Sequence, residues 1–327
     1  MFRISDTSIA RSVLSSILAN KEDVNKFGQE VSSGVKVNYP GDSDSAGTIS
    51  NCQEAMRRVD GYQTRITQVQ SSLGFQADLL TQAQETLTRA KELAAQGANE
   101  STANTRTNMA KEVFELRNQI VSLANTQYQG KYIYGGASDN NPPFIAATYT
   151  LPASGQSSER YVYDATPGST TTRTVNISDT LSVTTNTPGN QIFSNAVYAL
   201  ERLGRALEGY TTNPATGQPD GTGSAYNQPT DIHLQTQDIA ACMDSIQSAV
   251  SSDVSSEIAN VAGRQRRLDT ALAILKATKA DGEQVLNNLQ KADITESASA
   301  LTQAQTALQA SYVVSSKVMQ MSILDFL

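Results

Sequence analysis

The sequence predicts a mainly α-helical protein: a long-helix bundle with coiled-coil-like terminal helices and a small central antiparallel β domain. Three observations predict it. Apolar residues recur at heptad-like spacing near both ends of the 327 residues, the same spacing runs through a long stretch after residue 45, and the period changes from helical to two after Gly130.

The first helix is expected over Met1 to Ser33, with Ser5 and Asp6 as capping residues. Val13, Ile17, Val24, Phe27 and Val31 fall on one a/d stripe, and Asn20 is the polar position within it. One polar residue in such a seam fixes register or oligomer state. Leu14 and Leu18 widen the apolar face beyond what one partner helix covers. Ser32 to Gly47 is a polar connector with Gly34 and the turn Tyr39-Pro40-Gly41. Its run Asp42 to Gly47 looks like the opening of a calcium loop, but the third oxygen ligand is missing and Gln53 stands where the closing Glu belongs. Helix capping by Asp42 or Asp44 accounts for these residues, and no metal site is expected.

A helix from about Ser45 to Gly97 carries Ile49, Met56, Val59, Ile66, Val69, Leu73, Leu80, Leu87 and Ala94 at seven-residue or near-seven steps. Ser101 to Gln127 then returns antiparallel, with Met109, Val113, Leu116, Ile120 and Leu123 on its apolar face. Lys131 to Gly136 is strand chemistry ending in a turn, and Arg160 to Asp164, Arg173 to Ile177 and Leu181 to Val183 alternate, with Ser178-Asp179 as a hairpin turn. Helix resumes over Ser194 to Leu207. After the Gly/Pro/Thr-rich loop 209–230, Asp231 caps a helix with one weak break near Ser251-Ser252.

Asp293 with Glu296 is a capping-box start for the last helix. Ile294, Leu301 and Leu308 recur every seven residues, and a second row holds Ala298, Tyr312, Met319 and Phe326, broken by Gln305. At 1.5 Å per residue this helix is roughly 50 Å long. Its seam either docks on its own chain or is covered by other chains. The subunit-interface candidates are therefore Val13, Ile17, Val24, Phe27, Val31, Ile294, Leu301, Leu308, Tyr312, Met319 and Phe326. The predicted divisions are an N-terminal helix 1–40, the first half of the bundle 41–130, a β-rich insertion 131–192, the second half 193–292, and a C-terminal helix 293–327.

Composition narrows the function. A net charge of −7 with no sizeable basic patch argues against nucleic acid as the main partner. No stretch is long and apolar enough to span a membrane, and Arg11 with its polar neighbours breaks up any signal-peptide core. Cys52 and Cys242 fit neither a metal pattern nor a disulfide framework. His233 is the only histidine, without Cys or acidic residues at ligand spacing, and nothing around Ser315-Ser316-Lys317 would activate a nucleophile. No catalytic residue and no cofactor is expected.

The start MFRISDTSIARSVLSSI, the connector EVSSGVKVNYPGDSDSAG and the ending LTQAQTALQASYVVSSKVMQMSILDFL resemble those of bacterial flagellin and its relatives. Within that superfamily, Gly130 to Gly136 followed by Pro142-Pro143-Phe144, and Pro188 to Phe193, are similar to the hook–filament junction family, the hook-associated proteins of type three. Tyr39-Pro40-Gly41-Asp42 also sits closer to that family than to filament flagellin. The resemblance implies a structural adaptor in the extracellular bacterial flagellum, exported without a cleaved signal peptide. Its implied partners are copies of itself in a ring or helical assembly, the larger hook-associated protein on the hook side, flagellin on the filament side, and an export chaperone on the C-terminal region. A filament flagellin with a small outer domain is the alternative.

Overall fold

The computed structural model describes residues 3–36, 46–100, 102–150, 157–210 and 229–324. Helices α1 (Arg3–Ser33), α2 (Ala46–Asn99) and α3 (Ala103–Ala124) come first. Among the described residues six short strands follow: β1 (Gln127–Tyr128), β2 (Lys131–Tyr132), β3 (Phe144–Thr150), β4 (Ser157–Tyr163), β5 (Thr174–Asn176) and β6 (Ser182–Thr184). The chain returns to helix in α4 (Gly189–Glu208), α5 (Pro229–Ser248), a π-helical segment (Ala249–Val254), α6 (Ser255–Gln290) and α7 (Ile294–Leu324). The mainly helical architecture agrees with the sequence reading. The calcium-like residues 42–45, most of the loop 209–230, and Phe326 lie outside the described residues.

The chain forms two compact units, Met1–Asp60 with Lys276–Leu327, and Gly61–Leu275. This grouping cuts across the five predicted segments. The β residues share a unit with α3 and α4 because Tyr134, Phe144, Ile177 and Val183 are buried in the same core as those helices.

In the unit Gly61–Leu275, the predicted α2 row is the buried row: Ile66, Val69, Leu73, Leu80, Leu87 and Ala94 all lie in the core. Each fully buried leucine there stabilises the fold by ~1.5–3 kcal/mol. Helix α4 is covered on nearly all sides, by α3, α5, the π-helical segment and β4. Phe193 of α4 meets Tyr134 edge-on at 4.9 Å between ring centroids. Gly204 lets α3 and α4 approach, since a Cβ there would lie 2.5 Å from the Phe114 ring.

Buried α4 also carries charge. Arg117 of α3 donates to Glu201, Arg205 donates to Glu201 at 3.0 Å and to Glu208 at 2.8 Å, and Phe114 stacks under both guanidinium groups. The network reaches the β insertion, because Arg117 also donates to the Glu159 carbonyl and Arg205 to the Ser158 hydroxyl. Charges this deeply buried are tolerated only when paired and hydrogen-bonded. Cys242 of α5 is buried, and burial pushes its thiol up to about 12, so it stays neutral.

The weak break predicted near Ser251-Ser252 is the π-helical segment. Core residues run Ile239, Cys242, Ile246 and Ala249, then step five residues to Val254 before Val261 and Leu268. A five-residue step matches the i→i+5 repeat of a π turn, so the wide turn keeps both apolar faces on one core.

Among the described residues the β insertion is three separate two-stranded antiparallel pairs, β1–β2, β3–β4 and β5–β6, not one sheet. β1 takes up the end of the helix predicted to run to Gln127. Asn125 closes α3, and Gln129 and Gly130, both at positive φ, make the two-residue turn of the first hairpin. Ser178 and Asp179 lie in the β5–β6 connection, as predicted.

Candidate assembly interface

The interface candidates belong to the unit Met1–Asp60 with Lys276–Leu327. Helix α1 ends at Gly34, which is left-handed at φ 70 and donates its N–H to the Glu30 carbonyl at 2.8 Å. The next residues clasp the α6–α7 junction. Val35 bridges Lys291, Lys36 N–H donates to the Gln290 carbonyl at 2.6 Å, and Ala292 N–H donates to the Gly34 carbonyl at 2.9 Å. Asp293 then starts α7 as predicted, its Oδ1 accepting from the N–H groups of Thr295 at 2.9 Å and Glu296 at 3.2 Å.

From this clasp α1 and α7 pack along each other as an antiparallel pair. Val13, Ile17, Val24, Phe27 and Val31 are half-buried, as are Leu301 and Leu308. The second α7 row is displaced by one residue from the predicted one. Ser297 and Ala304 are buried and Ser311 is half-buried, at four- and three-residue steps from Leu301 and Leu308. Small side chains there let the helices approach and supply hydroxyl groups. Asn20 Nδ2 donates to Ser311 Oγ at 2.7 Å, and Ser297 Oγ donates to the buried Glu30 carboxylate at 2.9 Å.

These two polar contacts fix the register. A slip of one heptad would put Asn20 opposite an α7 position with no hydroxyl and strip Glu30 of its donor, whereas the leucines would find equivalent partners. Asn20→Val is expected to keep α1 helical and its thermal stability equal or higher, while permitting slipped pairings. NMR should then show multiple amide resonances for residues 13–31. A single set matching the parent would place register control elsewhere.

Of the other candidates, Ile294 and Tyr312 face away from the seam. Ile294 is exposed and Tyr312 is 52% exposed; Met319 falls within α7, but its side chain lies outside the described residues. Leu14 and Leu18, which the sequence marks as widening the apolar face, are 57% and 58% exposed. Val313 and Val314, beside Tyr312, add to the uncovered apolar surface and were not singled out, because the heptad rows pass them by. The pair thus carries two sets of apolar residues, one used within the chain and one open.

Comparison with known proteins bears on what such a pair serves. Residues 4–139, spanning α1 to β2, match the family model of the bacterial flagellin N-terminal helical region. Over these residues the chain is similar to that region. No curated protein matches the chain by sequence. Solved structures that share the fold include three from two organisms. FlgL of Xanthomonas campestris superimposes with a TM-score of 0.57 at 18% identity, over 72% of this chain and 99% of that one. The flagellar hook associated protein-3 of Legionella pneumophila gives 0.57 at 15% identity, over 74% and 98%. The flagellar junction protein FlgL from the same organism gives 0.50 at 15%, over 68% and 99%. The matched residues 4–139 include the α1 seam and the α2 core row.

No helix among the described residues is long and apolar enough to cross a membrane.

Proposed function

We propose that this chain is a structural protein of the bacterial flagellum that acts as an adaptor at the hook–filament junction. The observation that carries the reading is the terminal pair. Its α1–α7 seam is closed by register-fixing polar contacts, yet Leu14, Leu18, Tyr312, Val313 and Val314 stay open. An exposed apolar stripe on a long helix pair suits covering by further copies or relatives. Head-to-tail contacts of that kind build helical assemblies. The flagellin-type region supports the flagellar setting, and the hook-associated and junction proteins of shared fold favour the junction over the filament. The partners in this reading are neighbouring copies, the larger hook-associated protein on one side and flagellin on the other. An export chaperone holds the C-terminal region before assembly, and the site of action is extracellular.

An adaptor presents different axial surfaces to its two neighbours and does not extend itself without limit. The purified chain is therefore expected to form no long filaments under conditions that polymerise flagellin, as judged by negative-stain electron microscopy. Long filaments of this chain alone would favour the filament-flagellin alternative.

A further inference from the structure

The β3–β4 hairpin has one engaged edge and one open edge. On β4, the Glu159 carbonyl accepts from Arg117 at 3.3 Å and the Ser158 hydroxyl accepts from Arg205. Just beyond the ladder's end, Asp164 N–H, after β4, donates to the carbonyl of Pro143, before β3, which sets the ladder's alternation. Residues 145, 147 and 149 turn their backbone groups toward β4, and 144, 146, 148 and 150 turn theirs outward. Phe144 is satisfied as if by a neighbouring strand: Asn125 Oδ1 accepts from its N–H at 2.9 Å and Asn125 Nδ2 donates to its carbonyl at 2.8 Å. Beyond that grip, Ala146 and Thr148 are exposed, and their outward groups have no backbone partner among the described residues.

Strand edges in natural proteins are commonly guarded by charge, proline or a bulge. Phe144 to Thr150 reads FIAATYT, without charge, proline or glycine, and the register with β4 runs unbroken through all seven residues. A two-stranded hairpin is itself marginal in water and gains from a third strand.

We propose that the outer edge of β3 pairs antiparallel with the β3 edge of a second copy of this chain, about a two-fold axis at Thr148. The occupant follows from the edge. In that register Thr148 faces its own equivalent and Ala146 faces Thr150, so no charged residue opposes another. The chain carries −7, which keeps copies apart in general, but this hairpin is neutral: β3 has no charge, and β4 holds one Glu159 and one Arg160. The four-stranded product, β4–β3–β3–β4, is isologous and closes at two copies. It is therefore a dimer of the unassembled chain, it uses only residues of the unit Gly61–Leu275, and it does not rest on the junction reading.

Sedimentation velocity of the full chain at rising concentration tests this directly. A monomer–dimer equilibrium is expected. Thr148→Pro removes an outward N–H that β4 does not use, and Thr148→Lys sets like charges face to face across the axis. Each should weaken the dimer roughly tenfold or more. Amide hydrogen exchange over 144–150 should slow with concentration in the parent only. A parent that stays monomeric at its highest soluble concentration, or a dimer unchanged by both substitutions, overturns the proposal. Open-ended polymers that both variants still form overturn it too, and they would count separately against the junction reading.

Discussion

Leu308→Asp is expected to abolish incorporation into any assembly while leaving the unit Gly61–Leu275 folded. Leu308 is half-buried midway along the α1–α7 seam, beside the row that holds Ala304 and Ser311. A carboxylate there would sit among the apolar side chains of the seam, a cost of about 1–3 kcal/mol. Helix α1 packs chiefly on α7, so little else holds it once the seam opens. Two long helices with few other contacts are marginal in water, and separating them melts both. Circular dichroism should show a loss of helical signal confined to a low-temperature transition, with the main melting transition unmoved. Assembly at the parental rate would show that the seam is dispensable.

Glu201→Ala is expected to act on the other unit, and more severely on stability. Glu201 is buried in α4 and accepts from both Arg117 and Arg205. Removing it leaves two guanidinium groups in a core of Phe114, Tyr161 and apolar helix faces, and Arg205 retains Glu208 as an acidic partner. Breaking a buried pair from one side costs about 3–5 kcal/mol. Because Arg117 and Arg205 also hold Glu159 and Ser158, the β3–β4 hairpin should exchange its amides faster than the parent's. Urea denaturation measures the first effect and hydrogen exchange the second. A loss under about 1 kcal/mol would mean that the arginines reach solvent or find other partners at little cost.

Much of the helical layout was legible because burial follows period. The α2 row from Ile66 to Ala94 and the α1 stripe from Val13 to Val31 lie where their spacing places them. Asn20 was legible as a register residue for the same reason: a lone amide in an apolar seam needs a partner, and Ser311 supplies one. That partner was not legible, since a serine facing a seam contributes nothing to an apolar pattern. The same blindness displaced the second α7 row onto Tyr312, whose large apolar ring outscored Ser311 although it points outward. Arg117, Glu201 and Arg205 stayed invisible because charged residues on a helix read as a solvated face. Here they pair across two helices and a hairpin that only the fold brings together. Strands β2, β4, β5 and β6 were visible as alternation, whereas β1 was read as the end of a helix; that the strand pairs do not join into one sheet depends on packing against the helices.

The central claim, adaptor action at the hook–filament junction, is tested most directly in cells from which this chain alone is deleted. Flagellin export should continue, and flagellin should accumulate in the culture medium, because monomers arriving at the hook find no matching platform. Electron microscopy should show hooks without filaments, and expression of the parent chain should restore filaments where Leu308→Asp does not. Deleted cells that keep full-length, firmly attached filaments would contradict the account.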